Sequence, residues 1–341
     1  MVTAPQITVV SALCVLAAAT ACRGKSDAAA WPDDWEYVPS RSALTWVGSD
    51  SVLLYHAEEY RQADVRQSDC TKSGIFAFVP DSGLGPVWVG TDEVCSGLAR
   101  RMAVSPDGSW GVWTDFVRLR LTPLRGQGES RILVDGGLGS IDNPAWSFDG
   151  RHLAFTGREE REDGVSWSVF VMRANGHSLR RVGLWDRRVV SSPSWAPDGH
   201  QLAVAILSTD SAAYHVAGAV TVIDISTGAT RVVARGYDPS WSPQGDRIAY
   251  LYVDAYGDEV VTLAPSLRIV RPDGTGDSVV YATEDSAAYG QYERMVSGSP
   301  WAPIVWSPNG MHLAFSRMYA TRKTVSILDL VSGDVVDVPS H

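Results

Sequence analysis

A short motif recurs along the chain with constant internal spacing, and it constrains the fold more than any other sequence feature. It reads PAWSFDGRHLAFT at residues 144–156. Further copies begin at Pro193, Pro239, Pro303, Met102 and, in the weakest form, Ala43. Repeated units of one kind indicate an architecture in which each unit buries its apolar face against its neighbours.

Each copy joins an aromatic residue, a tight turn and an apolar strand. The aromatic residues are Trp46, Trp146, Trp195, Trp241 and Trp306, with Val104 at the equivalent place in the second copy. The turn glycines are Gly108, Gly150, Gly199, Gly245 and Gly310. Proline and aspartate favour such a turn, and glycine accepts the positive φ that closes it. The apolar run after the turn predicts a strand covered on both faces. We therefore interpret the tryptophans and glycines as structural residues of the repeat core.

A second hairpin completes each unit, as in VTVIDISTGATRVV from Val220. Gly108 and Gly150 are 42 residues apart, which matches the roughly 40–45 residues of a propeller blade. The sequence therefore predicts an all-β fold, a six-bladed β-propeller of four-stranded antiparallel blades over residues 41–341. Its closure has two alternatives: the termini abut, or residues 35–40 add a strand to the last sheet.

The first residues predict export. Residues 7–21 are apolar, uncharged and too short for a comfortable membrane span, so residues 1–21 are interpreted as a signal peptide. The run ends in Ala19-Thr20-Ala21-Cys22, which resembles a bacterial lipobox and implies a lipid anchor on Cys22. Ordinary cleavage after Ala21 is the alternative. Residues 22–40 then serve as a polar tether.

Two cysteines remain in the exported part, Cys70 and Cys95, both in the first unit. In an oxidising compartment such a pair favours a disulfide over a catalytic thiol. Neither cysteine has metal-ligand spacing, and we expect no metal and no cofactor. The formal net charge is −10, which argues against a nucleic-acid partner.

The pattern W-[SA]-P-[DQN]-G followed by [LI]-A-[FYV] resembles the TolB-type propeller repeat, also called PD40 or WD40-like. The resemblance covers residues 43–338. The family includes propellers that bind partner proteins in the cell envelope, and propeller domains that gate a separate hydrolase. The resemblance therefore implies a protein-binding propeller in the envelope, whereas the hydrolase would need a G-x-S-x-G elbow that this sequence does not contain.

The most promising binding segments are two inserts in the fifth unit, residues 254–265 and 284–299, which are rich in acidic residues and tyrosine. Long loops on a rigid scaffold commonly carry binding function; a variable solvated loop is the alternative. The candidate binding residues are Asp254, Tyr256, Asp258, Glu259, Tyr289, Tyr292 and Trp301.

Two hypotheses about function follow. The leading one is a non-catalytic, monomeric propeller that is anchored to an envelope membrane through Cys22 and binds a protein or peptide partner. The contrasting one is a hydrolase or lyase acting on glycans or peptides at the propeller funnel. A sensor or scaffold within a larger assembly is a third possibility.

Overall fold

The structure is a computed structural model that describes residues 35–47, 52–61, 72–78, 87–88, 102–114, 117–124, 129–161, 164–186, 188–208, 218–252, 266–282, 304–319 and 322–338. The described strands form antiparallel sheets, numbered here in chain order. Sheet 1 contains β1 (Trp35–Val47), β2 (Val52–Arg61), β3 (Lys72–Phe78) and β4 (Val87–Trp88). Sheet 2 contains β5 (Met102–Val104), β6 (Trp110–Thr114), β7 (Arg118–Pro123) and β8 (Arg131–Asp135). Sheet 3 contains β9 (Ser140–Trp146), β10 (His152–Arg161), β11 (Gly164–Arg173) and β12 (Arg180–Asp186).

The second half of the chain repeats this arrangement. Sheet 4 contains β13 (Arg188–Val190), β14 (Ser194–Trp195), β15 (Gln201–Ser208), β16 (Ala219–Asp224) and β17 (Thr230–Arg235). Sheet 5 contains β18 (Tyr237–Trp241), β19 (Ile248–Tyr252), β20 (Ser266–Val270) and β21 (Ser278–Ala282). Sheet 6 contains β22 (Val305–Trp306), β23 (His312–Tyr319), β24 (Arg322–Asp329) and β25 (Val335–Asp337).

The predicted propeller of four-stranded antiparallel blades is confirmed for five sheets, but the count of six such blades is wrong. Sheet 4 has five strands because its first strand is interrupted. β13 and β14 both pair with β15, at Val190↔Ile206 and Ser194↔Ala203. The segment between them contains Pro193, which has no backbone N–H to donate to a ladder.

The first strands of successive sheets contact one another around a common axis. β5 contacts β9, β9 contacts β14, β14 contacts β18, and β18 contacts β22. β1 contacts both β5 and β22. The first strand of each sheet therefore lies nearest the axis, and the last strand lies at the outer rim.

Residues 35–40 belong to sheet 1, so the alternative in which they extend the last sheet is wrong. They lie in β1 and pair with β2, with Trp35 opposite Arg61 and Pro39 opposite Ala57. Sheet 1 meets sheet 6 through side chains instead: buried Trp46 and Leu53 pack with Val325, Ile327 and Val338. Hydrophobic packing, not a shared strand, joins the two ends of the described chain.

The core consists of layers between adjacent sheets. Leu119 of sheet 2 packs with Phe155 of sheet 3, and Val169 of sheet 3 packs with Val204 of sheet 4. The same arrangement continues between sheets 4 and 5 and between sheets 5 and 6. This packing explains why the strands after the turns, such as β10 and β15, are apolar on both faces.

The tryptophan of the repeat connects each sheet to the one before it. The indole Nε1 donates to a backbone oxygen of the preceding sheet in three cases: Trp146 to Ala103 O (3.1 Å), Trp195 to Ala145 O (3.3 Å) and Trp306 to Ser240 O (2.9 Å). Each acceptor lies one residue before the equivalent aromatic position in its own sheet. The buried Nε1 of Trp241 has no such partner; instead, the backbone N–H of Trp241 donates to Ser194 Oγ at 2.9 Å.

The outer strands carry a β-bulge at an equivalent position in sheets 2 to 5. One residue is skipped in each ladder: Leu133, Val182, Val233 and Val280. Bulges blunt the exposed edge of a sheet. Three of these residues also lie against a glycine in the outer hairpin of the next sheet. The distance from a Cβ built on that glycine to the skipped residue is 3.5 Å for Gly176 and Leu133 Cδ2, 3.4 Å for Gly228 and Val182 O, and 3.3 Å for Gly274 and Val233 O.

We expect Trp195→Phe to destabilise the protein more than Trp241→Phe. Both indoles are almost fully buried and both substitutions leave similar cavities, but only Trp195 loses a hydrogen bond to the neighbouring sheet. The difference in the free energy of unfolding should be about 1 kcal/mol. Urea unfolding of the two variants would measure it, and equal losses would show that the indole bond adds nothing to the packing.

Candidate functional site

The two ends of the propeller axis differ, and the strand directions define them. The turns at Gly108, Gly150, Gly199, Gly245 and Gly310 all lie at one end, here called the turn end. β9 and β18 begin at the opposite end, where β19 ends at Tyr252 and β20 begins at Ser266. We call this the insert end, because the strands that flank both sequence inserts have their termini there.

The turn end is built by a repeated hydrogen-bond pattern. In sheet 3, Ser147 Oγ donates to Asp149 Oδ1 at 2.6 Å, and the Gly150 N–H donates to the Ser147 carbonyl at 2.9 Å. Desolvation alone would raise the pKa of Asp149, but the hydrogen bonds from Ser147 and from the Arg151 backbone lower it overall. The five turn glycines have φ between 68° and 77°, a region that side chains other than glycine rarely adopt. These aspartates and glycines therefore have a structural explanation.

At the insert end, the ladders of three neighbouring first strands are shifted or broken at the same height. The β9 ladder shifts around Asn143 and the β18 ladder around Asp238, while Ser192 lies between β13 and β14. Each of these residues directly precedes the proline of a P-x-W sequence. The backbone φ is 56° at Asn143 and 46° at Asp238, which is costly for non-glycine residues and is concentrated at functional sites. We call Asn143, Ser192 and Asp238 the polar arc.

A chain of hydrogen bonds connects Ser192 and Asn143 of the polar arc to β10 of sheet 3. Ser192 Oγ donates to Asn143 Oδ1 at 3.4 Å, and Asn143 Nδ2 donates to Thr156 Oγ1 at 2.9 Å. Thr156 Oγ1 in turn donates to the Asp142 carbonyl at 3.0 Å. Asn143 and Asp238 are 4% and 7% exposed, so the arc is held rigidly in the wall between the sheets.

Gly218 and Gly236 bring the starts of β16 and β18 close together at the insert end. The Gly236 N–H donates to the Gly218 carbonyl at 2.7 Å, and a Cβ on Gly218 would lie only 2.6 Å from Gly236 O. Such an approach of two backbones leaves no room for a side chain. Burial raises the pKa of the adjacent Tyr237 hydroxyl, which also hydrogen-bonds the Gly218 backbone. Tyr237 is therefore a neutral, fixed group beside Asp238.

Sheet 5, which flanks both inserts, is tied together by a buried tyrosine and an ion pair. Tyr250 Oη donates to Asp277 Oδ1 at 2.6 Å, and Arg268 binds both oxygens of the same carboxylate at 3.0 Å. Burial, and then the Asp277 carboxylate, raise the pKa of Tyr250 far above its ordinary value. Desolvation alone would raise the pKa of Asp277, but the hydrogen bonds from Arg268 and Tyr250 lower it overall. The network links β19, β20 and the segment leading into β21.

Several predicted site residues lie outside the described residues. They are the lipid-anchor candidate Cys22, the cysteines Cys70 and Cys95, and the insert residues Asp254, Tyr256, Asp258, Glu259, Tyr289, Tyr292 and Trp301. The repeat tryptophans lie where adjacent sheets meet, with Trp195 2% and Trp241 3% exposed. Within the described ranges, no group of three or more metal-binding side chains comes together, and no helix there has the length and apolarity to span a membrane.

Sequence reasoning missed the polar arc, although a signal is present. The strings N-P-A-W, S-P-S-W and D-P-S-W each place a polar residue before the proline. A residue before proline normally avoids α conformations, so its left-handed backbone in two sheets is visible only in three dimensions.

Solved structures with this fold include proteins named TolB and a lyase. TolB from Acinetobacter baumannii superposes with a TM-score of 0.57 at 13% identity, covering 90% of this chain and 80% of that chain. A putative TolB from Agrobacterium tumefaciens gives 0.51 at 17% identity, covering 81% of this chain and 94% of that chain. Oligogalacturonate lyase from Vibrio parahaemolyticus gives a TM-score of 0.56 at 11% identity, covering 91% of this chain and 80% of that chain. No protein-family model matches the chain, and no curated protein matches its sequence.

These likenesses show the fold alone: this is a TolB-like β-propeller architecture. Neighbours of almost equal TM-score bear the names of a TolB and of a lyase. The fold thus leaves the function to be argued from the site.

We expect the stabilising effect of Asp277 to depend on pH. The pKa of Asp277 is depressed in the folded protein, so its contribution to stability is present above the unfolded-state pKa of about 3.9 and is lost as the pH falls through the folded-state value. The stability difference between wild type and Asp277→Asn should therefore be largest above about pH 5 and should shrink in acid. Thermal unfolding from pH 2 to 7 would measure this difference, and a constant difference would contradict the expectation.

Proposed function

We propose that this protein is an exported, non-catalytic propeller that binds a protein or peptide partner at its insert end. One observation carries the proposal: in three neighbouring sheets the ladder of the first strand is shifted or broken at the same height, and the polar arc lies there. A strained backbone persists only where the surrounding structure fixes it, and such positions cluster at binding and active sites. Bulges also redirect side chains next to such sites.

Sheet 4 belongs to the ring although its first strand is interrupted. β13 and β14 occupy the same edge of β15 that a continuous first strand would occupy. Contacts of β1 with β5 and with β22 support the closing position of sheet 1. In this ring the funnel at the insert end is the natural binding surface, and the propeller acts as a monomer.

The inserts complete the proposed surface. Residues 254–265 and 284–299 follow β19 and β21, both of which end at the insert end. Their tyrosines, with Trp301, supply aromatic contacts of the kind that dominate protein interfaces, and their acidic residues supply charges for a polar rim. The hydrogen-bond network of Tyr250, Arg268 and Asp277 ties together the strands that flank these segments.

Location in the cell envelope is part of the same proposal. Residues 1–21 direct export, Cys22 carries the lipid, residues 22–34 form the tether, and residues 35–341, which begin with β1, form the propeller. Cys70 and Cys95 form a disulfide in the oxidising compartment. The uncharged apolar run at residues 7–21 and the Ala21-Cys22 junction support this part.

A hydrolase or lyase that acts on glycans or peptides at the insert end is the alternative. A structural neighbour named oligogalacturonate lyase has the same fold, and Asp238 is a carboxylate fixed at the end of the axis. Turnover distinguishes the two functions, because a binding protein returns its ligand unchanged.

We expect Ser192→Arg to weaken binding at least tenfold, because a long charged side chain would project from the centre of the polar arc. The probe is a library of fluorescent peptides tiled over exported envelope proteins, followed by anisotropy titration of the peptides that bind wild type. The control is His200→Arg, which introduces the same side chain at an exposed position of sheet 4 at the turn end. Wild-type affinity in the control and weak binding in Ser192→Arg would support the insert end as the binding surface.

Equal binding by both variants would contradict the proposed surface. Wild type should also be incubated with polygalacturonate and with the bound peptides, and the products should be separated by mass spectrometry. Cleavage of either substrate would favour the enzymatic alternative.

The anchor is tested separately with Cys22→Ala. Wild type should incorporate a fatty-acid probe and sediment with membranes, whereas the variant should lose both properties because it lacks the acylated sulfur. Cys14→Ala is the matched control in the same leader. An unlabelled, soluble wild type would refute the anchor while leaving the binding proposal intact.

A further inference from the structure

The outer rim of sheet 6 is straight where the rims of sheets 2 to 5 are bulged. β25 pairs with β24 from Val335 to Asp337 without a register shift. The same register continues at Val338, whose N–H donates to the Val325 carbonyl at 2.8 Å. Sheet 6 therefore keeps a regular outer edge over residues 334–338. Val325 stands at the position after which the other four ladders skip a residue, equivalent to Leu119, Val169, Val220 and Leu267.

The rim of sheet 6 also has a valine where sheets 2 to 4 have an arginine. Matched by its partner on the neighbouring strand, the residue is Arg131, Arg180 or Arg231 in those sheets and Val336 in sheet 6. Two of these arginines donate to carbonyls in the outer hairpin of the next sheet, whereas Val336 is 60% exposed. Bulges and charged side chains both discourage another strand from adding to an edge. The edge of sheet 6 has neither the bulge nor the arginine.

The backbone of β25 presents hydrogen-bonding groups to the outside of the sheet. In an antiparallel ladder, alternate residues exchange hydrogen bonds with the partner strand, and the residues between them point the other way. Val338 bonds toward β24, so Val336 does the same, and the N–H and C=O of Val335 point outward from the rim. Outward backbone groups on a straight edge are the template on which an extended chain can add.

The charge of the β24–β25 hairpin indicates which kind of chain fits this edge. Residues 325–338 contain three aspartates and no lysine, arginine or histidine. Asp334 is exposed at the start of the edge, and the Asp337 carboxylate accepts a hydrogen bond from Ser326 Oγ at 2.6 Å. A second copy of this edge would bring like charges together, which opposes strand pairing, and the whole chain has a net charge of −10. A basic strand is attracted instead.

We propose that residues 334–338 form a docking edge for an extended, basic segment of a partner protein, which adds to sheet 6 as a fifth strand. Main-chain hydrogen bonds to Val335 provide affinity, and the neighbouring side chains provide selectivity. The partner places an apolar residue beside Val336 and lysine or arginine beside Asp334 and Asp337. The edge lies at the rim, whereas the polar arc lies on the first strands near the axis, so this inference does not depend on the proposed function.

A peptide with this chemistry tests the proposal. The probe is a fluorescent seven-residue peptide of alternating lysine and valine, titrated against the full chain by anisotropy. We expect Val336→Arg to weaken binding about tenfold or more, because a long side chain of like charge would meet the peptide at the centre of the edge. Val232→Arg is the matched control, since Val232 is 62% exposed on the bulged rim of sheet 4 and gains the same charge. Melting temperatures of both variants check that they fold.

Two altered peptides separate strand addition from simple charge attraction. Methylation of the three central backbone nitrogens keeps every charge but removes the donors that an added strand needs, so binding to wild type should be lost. Replacement of the lysines by glutamate should also abolish binding. Hydrogen exchange at the Val335 amide should slow when the lysine–valine peptide binds, because this N–H faces the added strand.

Weak binding by Val336→Arg, wild-type affinity in Val232→Arg and protection of the Val335 amide would establish the docking edge. Absence of binding to wild type at millimolar peptide, equal binding by the two variants, or undiminished binding of the methylated peptide would overturn it. A wild-type dimer in analytical ultracentrifugation that Val336→Arg dissociates would overturn the assigned partner, since the edge would then take a second copy. Ser192→Arg should bind this peptide like wild type, so failure of this proposal and failure of the proposed insert-end surface are distinguishable.

Discussion

The contact on which the rest of the structure depends is the one that the repeat tryptophan makes with the preceding sheet. Its indole is buried between two sheets, and in Trp146, Trp195 and Trp306 the Nε1 also reaches a backbone oxygen of the neighbour's first strand. One side chain thus sets both the separation of adjacent sheets and the relative height of their first strands. Because the same residue repeats, successive sheets are placed around one axis, and the register shifts at β9 and β18 and the break in sheet 4 fall at one level.

The repeat made most of this architecture predictable. The turn at Ser147-Phe148-Asp149-Gly150 combines a glycine at positive φ with an aspartate that bonds local donors, and both requirements are local to the sequence. The apolar runs after the turns are also local, since Leu153 and Ala154 face opposite sheets and must both be buried. The order of the strands was predictable as well, because each unit can bury its apolar faces only against its neighbours.

The parts that could not be predicted depend on contacts between units. Residues 35–40 follow a tether in sequence, and only the pairing of Trp35 with Arg61 assigns them to sheet 1. The break in sheet 4 depends on how Pro193 fits against β15, and the polar arc depends on two residues that adopt a conformation unusual before proline. Local sequence patterns therefore predict the features that the copies of the repeat share. The features in which the copies differ, and in which we look for function, depend on tertiary contacts.

The bulges of the outer strands have a consequence for how the molecule behaves at high concentration. The skipped residues Leu133, Val182 and Val233 turn inward against the next sheet's hairpin, so the strand that remains at the rim is kinked and out of step with any straight partner. A propeller exposes one rim edge for every sheet, and each flat edge would be a template on which another chain could add a strand. The insertion of a single residue in each of sheets 2 to 5 therefore keeps four rim edges from serving as templates for polymerisation, where many copies would otherwise meet edge to edge.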